Sequence, residues 1–157
     1  MRPLVSFVTF TSITAFAPNV EAVVTEYWFR QQWQSVVGPY TAITFQGYPK
    51  GTLIDKEYAV LGVIFPDGND VIEYHPLLIN DGVGLLSNDL VHGIITMQFD
   101  EPRTAVACDF LGIMDIWLYA NGQLIWDSVD FFDSASRFGG LTSTVPFDRV
   151  LIRDPSN

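Results

Sequence analysis

The stretch DIWLYANGQLIWDSV, Asp115 to Val129, decides the fold class of this chain. Two apolar runs flank Asn121-Gly122. A two-residue type I′ turn needs positive φ at both central positions, which Asn and Gly tolerate best. The segment therefore reads as an antiparallel hairpin. Along its first strand Trp117 and Tyr119 share one face, and Ile116 and Leu118 the other.

Outward from this hairpin, other short apolar runs are separated by turn residues: AITF (Ala42–Phe45), YAVLGVIF (Tyr58–Phe65), DVIEYHPLLI (Asp70–Ile79), GIITMQF (Gly93–Phe99), TAVACDFLG (Thr104–Gly112) and FDRVLIRD (Phe147–Asp154). Gly47 to Gly51, with Pro49 between them, marks a sharp turn after the first. Tyr58–Phe65 is apolar on both alternating faces, as a central strand packed between the opposite sheet and a helix would be. Pro146 suits the first position of a strand from which Phe147 and Val150 fill the core. Seven or more strands without strand–helix alternation imply an all-β, jelly-roll-like antiparallel sandwich rather than a parallel sheet.

One helix interrupts the pattern. In VTEYWFRQQWQSVVGP (Val24–Pro39), Thr25 is a capping residue and Glu26 favours the positive end of the dipole. Val24 and Phe29 match a hydrophobic staple, and Gly38-Pro39 stops the run. Phe29, Trp33, Val36 and Val37 recur at helical spacing, so the spacing predicts a short amphipathic helix over 26–37 whose aromatic stripe is core.

The first residues, MRPLVSFVTFTSITAFA, partly match a signal peptide, with Ala15-Phe16-Ala17 as a possible cleavage site. Pro3 and the Ser and Thr residues dilute the apolar run, which is shorter than the ~20 residues a membrane span needs. The reading adopted is a retained, extended arm over 1–24, in front of a sandwich domain over 25–157. A cleaved signal is the alternative. Leu4, Val5, Phe7, Val8, Phe10, Ile13 and Phe16 are the arm's candidate interaction residues, suited to strand addition on a partner.

Composition excludes several functions. Of 157 residues, 48% are hydrophobic and 17% charged, with net charge −10, so the chain folds and repels nucleic acid. Cys108 is the only cysteine; no internal disulfide or Cys-rich zinc site follows, and its apolar neighbours make it a small core residue. His75 and His92 lack marked co-ligands. Asp67, Asn69 and Asp70 could gather oxygen ligands for Ca²⁺, but the spacing is not an EF-hand, and an Asp-Gly turn accounts for it. Asp127, Asp130 and Asp133 alternate faces on a strand and do not pair as glycosidase carboxylates. No catalytic, cofactor or metal residue is therefore assigned, and the expectation is a non-enzymatic protein.

Specific residues carry a likeness. Thr44-Phe45, Gly47, Pro49, Gly51-Thr52, Tyr58 and Gly62-Val63-x-Phe65 resemble the first hairpin of a β-sandwich module common in exported bacterial proteins of the PEP-CTERM type. The segments Phe99–Phe110, Asp115–Ile125 and Phe138–Asp154 extend that likeness over residues 25–154. It implies an exported or extracellular protein and carbohydrate as the ligand, with Trp117, Tyr119 and Trp126 as the stacking platform. The competing reading of Trp117 and Tyr119 is core. Such a protein carries an apolar sorting tail, which the residues after the last strand do not match.

By architecture alone, an armed sandwich also resembles the decoration, or cement, proteins of tailed-phage capsids. The functional expectation is thus a structural protein on a virion surface, with capsid subunits and further copies of itself as partners. The alternative is a carbohydrate-binding module.

Overall fold

The structure is a computed structural model that describes residues 21–66, 70–74, 83–87, 94–110, 114–128 and 138–153. It is all-β with one short helix, as the sequence implies. In chain order the elements are β1 (Val24–Tyr27), α1 (Arg30–Val37), β2 (Leu53–Ile54), a single 3-10 turn (Ala59–Leu61), β3 (Val63–Ile64), β4 (Asp70–Tyr74), β5 (Val83–Ser87), β6 (Ile94–Asp109), β7 (Asp115–Ala120), β8 (Gln123–Asp127) and β9 (Phe138–Arg153). Among the described residues they form two antiparallel sheets: a larger one ordered β3-β6-β9-β7-β8, with β1 also on β9, and a smaller one ordered β2-β4-β5.

β9 is the spine of the larger sheet. On one side β6 pairs with it at both ends; on the other, β1 takes Gly140–Ser143 and β7 takes Arg149–Arg153. Two interruptions divide β6–β9. Residues 143–146 of β9 stand opposite only Thr104, and residues 99–102 of β6 opposite only Asp148. Each interruption holds a proline, Pro146 and Pro102, whose missing N–H cannot serve a ladder. The Ser143 hydroxyl donates to the Val145 carbonyl at 2.7 Å, and its oxygen accepts from the Val145 N–H at 3.2 Å. These bonds meet backbone needs that the broken ladder leaves open. Pro146 thus sits inside a long bent strand, not at the start of a short one.

The pairing register sorts side chains by face. Met97, Val150, Leu118 and Trp126 are cross-strand neighbours, as are Ile95, Ile152 and Ile116. This is the core face, where Ile116, Leu118, Leu141, Phe147 and Val150 are essentially inaccessible. Phe147 and Val150 fill the core as expected. A second cluster, Ile54, Tyr58, Val63, Phe65 and Ile72, links the smaller sheet to the larger through Ile95, Met97 and Phe99.

Several local expectations are corrected by the structure. The helix begins at Arg30 rather than 26, because Val24–Tyr27 pair with β9 instead of capping. Phe29 is the N-cap and makes no side-chain cap bond. Four backbone pairings outweigh the modest preference of Thr25 and Glu26 for a helix start. The stop at Gly38, with φ 69°, is as expected. Of the predicted stripe Trp33 is buried, while Phe29 and Val36 lie on the surface.

Ala42–Phe45 is not a strand, and Tyr58–Phe65 is not a central one. Instead Leu61 N–H donates to the Tyr58 carbonyl at 2.8 Å and Gly62 N–H to the Ala59 carbonyl at 3.0 Å, and Gly62 closes the turn at φ 80°. Only Val63 and Ile64 then pair, with β6. Val60 is 90% exposed, so the apolar content of this segment did not mean burial. The turn at Gly47–Gly51 forms as read, with positive φ at both glycines and Thr52 bonded to the Pro49 carbonyl. β5 was missed because Val83–Ser87 has Gly84 inside it and no alternation.

Candidate binding faces

The hairpin at Asn121-Gly122 is present. β7 pairs with β8 around Asn121 (φ 52°) and Gly122 (φ 78°), the positive angles a type I′ turn requires. The Asp148 carboxylate accepts the Asn121 N–H at 2.9 Å and fixes the turn to β9. A bulge in β8 separates the Leu118–Trp126 pair from the Tyr119–Leu124 pair.

That register places the three proposed platform residues. Trp117 and Tyr119 share the outer face, opposite the core, whereas Trp126 pairs with Leu118 and packs on the core. The trio does not converge. Trp117 and Tyr119 are half-buried, but each ring carries an arginine: the Arg153 guanidinium lies 4.9 Å from the Trp117 centroid and that of Arg149 4.4 Å from Tyr119. A sugar stacking on either ring would first have to displace a cation.

The two arginines differ. Arg153 Nη2 donates to Asp115 Oδ2 at 2.7 Å, and that carboxylate is almost wholly buried. Arg149 has neither an ion pair nor a side-chain hydrogen bond to any described residue; its Nε is buried without an acceptor, as is that of Arg153. Its register neighbours are Gln98 on β6 and Tyr119 on β7. Sequence reading passed over both arginines. Their spacing by four in FDRVLIRD puts them on one face of a strand, but nothing in the sequence says that this face also carries Trp117 and Tyr119.

A second surface flanks α1. Trp33 is buried against Gly140 and donates its indole N–H to the Leu141 carbonyl at 3.2 Å, with Tyr40 edge-on at 5.4 Å. Arg30 pairs with Asp109 and stacks over Phe138. These contacts anchor the helix, yet Phe29 (65%) and Val36 (57%), two turns apart on one side of it, are exposed along with Trp28, Val23 and Tyr40.

Catalytic chemistry finds little here. Among the described residues, no three His, Cys, Asp or Glu side chains are grouped to hold a metal ion. Two shallow cavities of about 160 and 270 Å³ are seen; Asp100 is the only carboxylate lining the first, and the second holds no carboxylate, histidine or cation. The Cys108 residue keeps some exposed surface, but its sulfur lies 3.5 Å from the Met114 sulfur, and burial followed by the Asp109 charge pushes its pKa up to about 12. It is a packed thiol held in its protonated form at neutral pH. Leu4, Val5, Phe7, Val8, Phe10, Ile13 and Phe16 lie outside the described residues, as do Asp67, Asn69, His75, His92, Asp130 and Asp133. No described helix is long and apolar enough to cross a membrane.

Compared with known proteins, the chain matches no family model, no curated protein and no solved structure.

Proposed function

We propose that this chain is a non-enzymatic interaction protein, a jelly-roll-like sandwich that docks on a larger assembly through the apolar side of α1 and β1, together with its N-terminal arm. One observation carries the reading: Phe29 and Val36 stand exposed beside β1, whose far edge pairs with no described strand. Isolated surface hydrophobes are ordinary, but an aromatic and an aliphatic group beside a strand edge that no described strand covers is what protein interfaces bury. A virion shell is the first assembly to test, since a symmetric lattice would offer each copy the same seat.

The test joins two changes, deletion of residues 1–17 and Phe29→Ser with Val36→Ser, read by sedimentation and by co-assembly with shell subunits. Wild-type protein is expected to associate, and both variants to lose association while keeping their circular dichroism. Unchanged association in both variants overturns the reading.

A further inference from the structure

We propose that Gln98, Arg149 and Tyr119 form a receptor for a carboxylate, and that the ligand is an acidic saccharide carrying a uronate group. The three residues make one rung across β6, β9 and β7, all on the outer face. Arg149 is the centre. Its guanidinium rests on the Tyr119 ring and its Nε is sealed from water, yet no described carboxylate answers it.

An unanswered guanidinium, partly stripped of water, gains more from an incoming carboxylate than a solvated one does. Ring stacking holds the guanidinium plane against Tyr119, and its donors are bonded to no described residue. Gln98 is exposed beside it, and neither its side chain nor the Tyr119 hydroxyl makes a hydrogen bond to a described residue. An amide and a phenol flanking a guanidinium supply the donors and acceptors that sugar hydroxyls next to a carboxylate require. Arg153, by contrast, is committed to Asp115 and serves as a fixed neighbour.

Topology argues against a protein segment added as a strand. β9 is paired on both sides along Arg149–Arg153, so its backbone cannot accept an added strand, and only side chains can recognise a ligand there. The chain's net charge of −10 disfavours a densely charged polymer, which suits a ligand with isolated carboxylates rather than a polyphosphate.

This site is separate from the α1–β1 docking side, and its failure leaves that reading untouched. The test titrates full-length protein with a uronate-containing trisaccharide, its neutral counterpart in which each carboxylate is a hydroxymethyl group, and inorganic phosphate. The ¹⁵N signal of Arg149 Nε–H reports on the site. The uronate is expected to bind and shift that signal, to weaken with salt, and to lose about tenfold or more in affinity on Arg149→Gln, the scale of one hydrogen-bonded charge. Arg103→Gln, elsewhere on β6, should leave binding unchanged. Equal binding of the neutral sugar, binding of phosphate alone, or no shift of Arg149 in the wild-type protein overturns the proposal. The wild-type signal decides the matter even if Arg149→Gln does not fold.

Discussion

The indole of Trp33 occupies the space that a side chain on Gly140 would need: a Cβ there would lie 2.6 Å from the Trp33 ring. Helix and sheet therefore meet through a ring against bare backbone, and Trp33 adds a bond to the Leu141 carbonyl. Gly140→Ala would push the indole out of its seat; it is expected to lower stability by about 1–3 kcal/mol, as overpacking does. Trp33→Ala should cost about 3–5 kcal/mol through the lost burial and cavity. Combining them should cost less than their sum, because the first change matters only while the ring is there. Urea unfolding of the three variants measures this, and strict additivity would show that Gly140 and Trp33 do not share this contact.

The turn at Asn121-Gly122 gives a cleaner backbone test. Nothing lies within 4 Å of a Cβ on Gly122, so Gly122→Ala meets no clash, and its whole cost comes from φ at 78°. A left-handed conformation costs a non-glycine residue about 1–2 kcal/mol. Thermal unfolding should register that loss with the hairpin still formed. A neutral Gly122→Ala would mean the turn is not of this type.

How far the sequence could be read depends on where each element draws its stability. The β7–β8 hairpin was legible because Asn-Gly dictates its own backbone angles, and Phe147 and Val150 because a short apolar run with one tolerated proline has few places to go. The start of α1 was not, since Thr25 and Glu26 carry a helix signal that pairing with Leu141 and Thr142 overrides. Tyr58–Phe65 departs from expectation for another reason: its apolar run predicts burial on both faces, but Gly62 turns the chain and leaves Val60 in water. Neither arginine of the outer face could be assigned to a ring, because the β7–β9 register depends on contacts distant in sequence.

That register makes Asp115 dependent on Arg153. The carboxylate is nearly inaccessible, while Arg153 keeps over a third of its side-chain surface in water. Arg153→Leu leaves a buried negative charge short of its cation, at a cost of about 2–4 kcal/mol after allowing for that exposure. Adding Asp115→Asn to Arg153→Leu should recover part of the loss, since the buried negative charge is then gone. Denaturation midpoints test the order, and a double variant no better than Arg153→Leu alone would show that Asp115 draws its compensation elsewhere.

Alkaline pH should weaken the fold through two buried protons. The Tyr58 hydroxyl, which donates to the Thr44 carbonyl at 2.8 Å, is pushed up to about 12, chiefly by burial and then by Tyr48 and Glu57. The Cys108 thiol is likewise held at about 12. In the unfolded chain these groups ionise near their ordinary 10.0 and 9.0. Between those values and 12 the folded state therefore keeps protons that the unfolded state has shed, and stability falls as pH rises. Their contribution is complete below about pH 9 and is lost progressively toward pH 12. Urea midpoints from pH 8 to 11.5 should trace the decline, with Tyr58→Phe flattening it above pH 10 and Cys108→Ala from pH 9 upward. Tyr58→Phe should also cost about 1 kcal/mol at pH 8, where only the hydrogen bond is missing. An equally steep decline in the double variant would assign the alkaline sensitivity to other groups, and thiolate absorbance in the native protein below pH 10 would contradict the enclosure of Cys108.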